Sequence, residues 1–136
     1  MRRLSINDGE NIQKMSLLSE FGILLVKIIA STAIMVLSIL IHEFGHYRIA
    51  KMYGNAKIMW KDKTVMTVFD DHLTLKQKIQ VFKHGILLGF IPITLYMAIL
   101  PEWAIVLFFL YIGGCISDFK VLRSLYREKK SKKIFD

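Results

Sequence analysis

The sequence predicts an all-α membrane protein with three transmembrane helices and a short β-hairpin in the cytoplasmic loop after the first. Three observations carry that fold class. Apolar residues make up 54% of the 136-residue chain, and the mean hydropathy is +0.42, both far from an ordinary soluble domain. The apolar residues gather in three segments, Phe21 to Ile41, Ile79 to Leu100 and Trp103 to Leu122, each about the ~20 residues a helix needs to cross ~30 Å of hydrocarbon. Lysine and arginine gather between and after those segments, with one lysine inside each. A chain this short forms one domain, and no internal repeat is visible.

The first helix is expected to start near Ser19 or Glu20 and run without proline to Tyr53, where Gly54-Asn55 supplies a stop. Ala56 to Trp60 and Thr64 to Phe69 are rich in β-formers and are joined by Lys61-Asp62-Lys63, the pattern of a hairpin. Asp70-Asp71-His72 reads as a polar turn, and Thr74 as the cap of a second helix with Pro92 in mid-span. Pro101-Glu102 makes a tight outer turn, Trp103 opens the third span at the interface, and that span continues through Gly113-Gly114 to Asp118. Lys120 to Lys133 is a basic extension.

Orientation follows from charge. Arg2, Arg3 and Lys14 precede the first span, whereas eight basic residues lie from Arg48 to Lys83 and seven from Lys120 to Lys133. The positive-inside rule then puts the amino terminus outside and the middle loop and tail in the cytoplasm of a multi-pass cell-membrane protein. Net charge +8 comes from residues that flank spans, which points to anionic lipid headgroups rather than nucleic acid. The apolar stretch comes too late after Arg2-Arg3 for a twin-arginine signal, so no cleaved signal peptide is expected. A single cysteine, Cys115, excludes an intramolecular disulfide.

The charge-free runs are Ile28 to Ile41, Gly85 to Leu100 and Trp103 to Ser117, so each span ends on an ionisable group: Lys27, Lys83 with His84, and Asp118. Lysines near helix ends snorkel to the headgroups. His84 and Asp118 stay open, since an ionisable group at membrane depth is a functional candidate, although His84 could equally cap the interface.

Chemistry enters with His42-Glu43-Phe44-Gly45-His46. Four residues apart on a helix, the two imidazoles share a face and can hold one Zn²⁺, while Glu43, one step round, reaches a water on that metal. HExxH arises by accident in roughly one of several hundred chains of this length, so the third ligand matters. A metzincin would need histidine where Met52 stands. At 1.5 Å per residue, His42 lies about 30 Å from Phe21 and Asp118 about 22 Å from Trp103 along helices that both run inward. Asp118 therefore approaches the depth of the histidines, and a lone carboxylate there calls for a cation. His84 reaches a similar depth on the second span, as an alternative ligand or a substrate-orienting group. Asp70, Asp71 and His72 fit a solvated turn better, and Cys115 a packing position after Gly113-Gly114.

The run from His42 to Gly54 fits the pattern HExGHxxxAxxxG, with Gly45, Ala50 and Gly54 in place, and so resembles the site-2 protease family of intramembrane zinc metalloproteases. The likeness covers about Ile28 to Leu122, continuing through Leu73-Thr74-Leu75 and Lys83-His84-Gly85. It implies a minimal three-helix core, one Zn²⁺ per chain held by His42, His46 and the aspartate of the last core helix, Asp118, and Glu43 as catalytic base. It also implies a membrane protein or membrane-associated peptide as substrate. Two departures stand out: Ile116-Ser117-Asp118-Phe119 replaces the family's usual Asn-Pro-Asp-Gly, and Gly85-Ile86 its Gly-Pro pair. The hairpin offers either an edge for an extended substrate strand or an interfacial anchor. Three helices are few to seal such a site from lipid, which would favour a homo-oligomer. The competing classes are a non-catalytic membrane adaptor or immunity-type protein that keeps the fold, and a metal-handling membrane protein. Neither needs Glu43.

Overall fold

The computed structural model describes residues 5–61, 64–69 and 72–135. In order they form α1 (Ser5–Tyr53), β1 (Ala56–Lys61), β2 (Thr64–Phe69), α2 (Leu75–Met97), α3 (Pro101–Gly114) and α4 (Ile116–Phe135). Two helices, α1 from Gln13 and α2, are long and apolar enough to cross a membrane, and α3 with α4 to Ser131 counts as a third only if that bent pair is one span. The chain divides after Ala33 into two compact units.

The first unit is the leading part of α1. Leu17, Leu18, Phe21, Leu24 and Val26 are all exposed on it, the surface of a helix meant for hydrocarbon. The helix starts at Ser5 rather than near Ser19. Residues 5–20 hold no proline and several good helix formers, and a helix nucleated by the apolar stretch propagates through them at little cost. Arg2 and Arg3 lie outside the described residues.

The second unit, from Ile34, holds everything else. Here α1 ends at Tyr53, with Lys51 in its last turn and the Gly54 amide still bonded to the Ala50 carbonyl at 3.1 Å. The hairpin is antiparallel, with Ala56 opposite Phe69 and Lys61 opposite Thr64. Lys61 is thus strand rather than loop, and Asp62-Lys63 lies outside the described residues. Asp70-Asp71 also lies outside them, and His72 is an exposed turn residue. Ala50, Ala56, Leu73 and Val81 form a buried cluster with Tyr47, Ile49 and Phe69, which pins the end of α1, the hairpin and the start of α2 together.

Thr74 caps α2 through a capping box: its hydroxyl accepts from the Gln77 amide, and its own amide donates to Gln77 Oε1 at 2.8 Å. The helix then runs through Pro92. Leu87, Ile91 and Leu95 point outward, whereas Gly85, Gly89 and Ile93 of the opposite face are buried. The two glycines, four residues apart on the inner face, let a neighbouring helix approach closely, as small residues do between membrane helices. The turn after α2 is Ala98–Leu100, and Pro101 and Glu102 already belong to the first turn of α3, because proline at the first helical position gives up no hydrogen bond.

The expected single helix from Trp103 to Leu122 is interrupted. α3 stops at Gly114, Cys115 caps it, and α4 leaves at 53°. Two glycines in succession, the weakest helix formers after proline, account for the break. Asp118 consequently stands in the first turn of α4, where the helix dipole favours a carboxylate.

Candidate metal centre

His42 and His46 lie one turn apart on α1, both buried. Their Nε2 atoms are 2.9 Å apart, and Asp118 Oδ2 reaches both, at 2.7 Å from His42 and 3.1 Å from His46. Three donor atoms from two distant stretches of the chain thus form a triangle with edges near 3 Å.

The other ring nitrogens fix what these atoms are. His46 Nδ1 lies 3.0 Å from the Val81 carbonyl, which only accepts, so Nδ1 carries the hydrogen. The Tyr111 hydroxyl donates to the Ile86 carbonyl at 3.0 Å. Its hydrogen is committed there, so the 2.7 Å contact with His42 Nδ1 is a donation from the ring. Assigned in this way from the network, both neutral imidazoles present bare lone pairs at Nε2, the tautomer that binds a metal. Two lone pairs and a carboxylate oxygen repel one another in the absence of a cation. One proton can bridge only two of the three, whereas a metal ion satisfies all. Donors ~2.0–2.1 Å from a shared tetrahedral centre are spaced roughly 3.3 Å apart, close to the observed edges. The residues fit a Zn²⁺ site with three protein ligands.

Glu43 stands beside this triangle, and its carboxylate lies with the two histidine donors inside a 4.8 Å group. Thr67 of β2 holds it: the hydroxyl lies 2.9 Å from Glu43 Oε2 and 2.9 Å from the Glu43 carbonyl oxygen. Strand alternation explains why Thr67 is available, since Val65, Thr67 and Phe69 face inward while Met66 and Val68 are exposed.

Close backbone approach lets α2 pass behind the histidines. A Cβ on Gly85 would lie 2.2 Å from the His46 ring, one on Gly89 would lie 1.9 Å from the Tyr111 hydroxyl, and one on Gly45 would meet the Gly85 backbone at 2.9 Å. None of these positions has room for a side chain.

His84 does not join the cluster; its ring is exposed and its Nδ1 bonds to the Gln80 carbonyl at 2.9 Å. Cys115 is buried, with Sγ 3.8 Å from His42 Nδ1, on the side of the ring away from the donor triangle. Sequence reasoning missed Tyr111, Gly89 and Thr67. Tyr111, Cys115 and Asp118 follow the helical i, i+4, i+7 spacing, and Gly85 and Gly89 the small-xxx-small spacing of close helix pairs, so two of the three had a signal. Thr67 had none, because only the folded hairpin brings it to Glu43. No protein-family model matches this chain, and no curated protein or solved structure matches it.

Proposed function

We propose that the chain is a zinc-dependent intramembrane endopeptidase of the site-2 protease type. The observation that carries this reading is the convergence of His42 Nε2, His46 Nε2 and Asp118 Oδ2 with a carboxylate, Glu43, held at their side. Binding a metal requires the first three, and only hydrolysis requires the fourth.

In this reading His42, His46 and Asp118 hold one Zn²⁺ per chain. When bound, zinc supplies Lewis acidity and lowers the pKa of a coordinated water to about 7. Glu43 takes the proton of the attacking water and returns it to the amine that leaves, so no nucleophilic serine or cysteine takes part. Thr67 keeps the Glu43 carboxylate turned towards the site. The apolar outer faces of α1 and α2 favour a membrane protein or membrane-associated peptide as substrate. The basic residues of α4 and of the loop after α1 favour a cytoplasmic placement against anionic lipid, with the amino terminus outside.

The test is zinc analysis and cleavage of fluorescein-labelled casein by the detergent-purified protein and its Glu43→Gln variant. Expected are one zinc per chain in both, with cleavage lower in the variant by roughly 100- to 10,000-fold, the range for removal of a general base. A chain that takes up no zinc overturns the reading. A variant that cleaves as well as the wild type does the same, and cellular activity that survives Glu43→Gln would mark an adaptor instead.

A further inference from the structure

The geometry points to Thr67 as the positioning residue of the catalytic base, which makes the hairpin part of the reaction machinery. The inference rests on reading Glu43 as the proton acceptor. Glu43 sits one step round α1 from the histidines, and a glutamate side chain has three rotatable bonds, so helix geometry alone leaves its carboxylate free to swing. Among the hydrogen bonds of the described residues, the one donated to that carboxylate comes from Thr67 Oγ1.

The hydroxyl has one hydrogen and two acceptors at equal distance, Oε2 and the main-chain carbonyl oxygen of the same residue, each at 2.9 Å. It serves them alternately. While Glu43 is a carboxylate, Oε2 is the stronger acceptor and takes the hydrogen. Once Glu43 has accepted the proton of the attacking water, Oε2 is the poorer acceptor, and the hydrogen turns to the carbonyl without leaving a donor unsatisfied. The threonine thus orients the charged base and releases the protonated one, and neither state strands a polar group. Its grip on α1 is direct, because both alternative acceptors, the main-chain carbonyl and the carboxylate, belong to one residue of that helix. Phe69, on the same strand face, packs into the cluster with Ala50 and Val81, which fixes the strand from which Thr67 reaches.

Thr67→Val keeps the shape and strand propensity and removes only the hydroxyl, while Thr67→Ser keeps the hydroxyl. With casein as substrate, Thr67→Val is expected to lower kcat roughly 10- to 100-fold, the scale of a misplaced catalytic group, with KM and zinc content unchanged, and Thr67→Ser to recover most of the loss. Unchanged kcat in Thr67→Val overturns the inference, and so does a loss in Thr67→Val that Thr67→Ser shares. A second measurement is independent of turnover: a cycle of thermal midpoints over wild type, Thr67→Val, Glu43→Ala and the double variant. Non-additive shifts support the contact even if the wild type cleaves nothing, the result that would remove the protease reading alone. Additive shifts overturn the inference.

Discussion

The two histidines and the glutamate of one motif are held in opposite ways. His42 and His46 are buried, and each ring is fixed through Nδ1 by a group tied to the backbone of α2, the Val81 carbonyl or the Tyr111 hydroxyl anchored on Ile86. Glycines at 45, 85 and 89 close the gap behind them. Glu43 is half-buried and, among the described residues, is met by one hydroxyl from a two-stranded hairpin whose Trp60, Met59 and Val68 are exposed. On the proposed function, the firmer hold on the histidines suits metal ligands, whose hydrogen-bond partners set ring orientation and affinity. The lighter hold on the glutamate suits a carboxylate that would change charge during the proposed reaction.

That contrast is testable by asking which measurement each half controls. The largest effect belongs to Asp118→Ala, which removes the third donor and leaves two facing lone pairs. Stoichiometric zinc should be lost on metal analysis, whereas His84→Ala keeps it. Retention of zinc in Asp118→Ala, or its loss in His84→Ala, would break the assignment of the donors.

Next comes Gly85→Ala. The added methyl group would stand 2.2 Å from the His46 ring, so the helices must separate or the ring must turn. Overpacking of this kind costs about 1–3 kcal/mol, and zinc affinity should fall with the thermal midpoint. Gly22→Ala, in the leading part of α1, provides the contrast, since nothing lies within 4 Å of its Cβ. In a helix that change should stabilise by about 0.5–1 kcal/mol and leave zinc binding alone. Equal behaviour of the two variants would refute the close contact.

Tyr111→Phe acts on metal affinity alone and leaves the packing in place. It removes the oxygen acceptor for His42 Nδ1, leaving the Cys115 sulfur at 3.8 Å as a weaker partner, and so favours the other tautomer. Loss of such a partner typically weakens metal binding by roughly 10- to 100-fold, measurable by competition with a chromogenic chelator while the fold persists. If affinity is unchanged, the rigidity of the histidine half comes from packing and not from hydrogen bonds.

How much of this was legible in the sequence depended on the range of the interaction. His42, Glu43 and His46 needed only the helical repeat, and Thr74 only its own first turn. Asp118 needed one further step, a count of residues along two spans. The hairpin strands were visible in their β-branched composition. The break at Cys115 was hidden because the run from Trp103 to Ser117 is uniformly uncharged, and uncharged residues pass equally well for a straight span. The early start of α1 was hidden for the converse reason, since polar residues can extend a helix that apolar ones have nucleated. Thr67 lay beyond any local signal, because twenty-four residues and a strand reversal separate it from Glu43.

The interruption at Cys115 shares the site between two rods with different surroundings. Tyr111 travels with the greasy one and Asp118 with the cationic one that carries Arg123, Arg127 and Lys130. Whatever engages those cations therefore acts on the same helix that carries the Asp118 carboxylate, while the imidazoles belong to another.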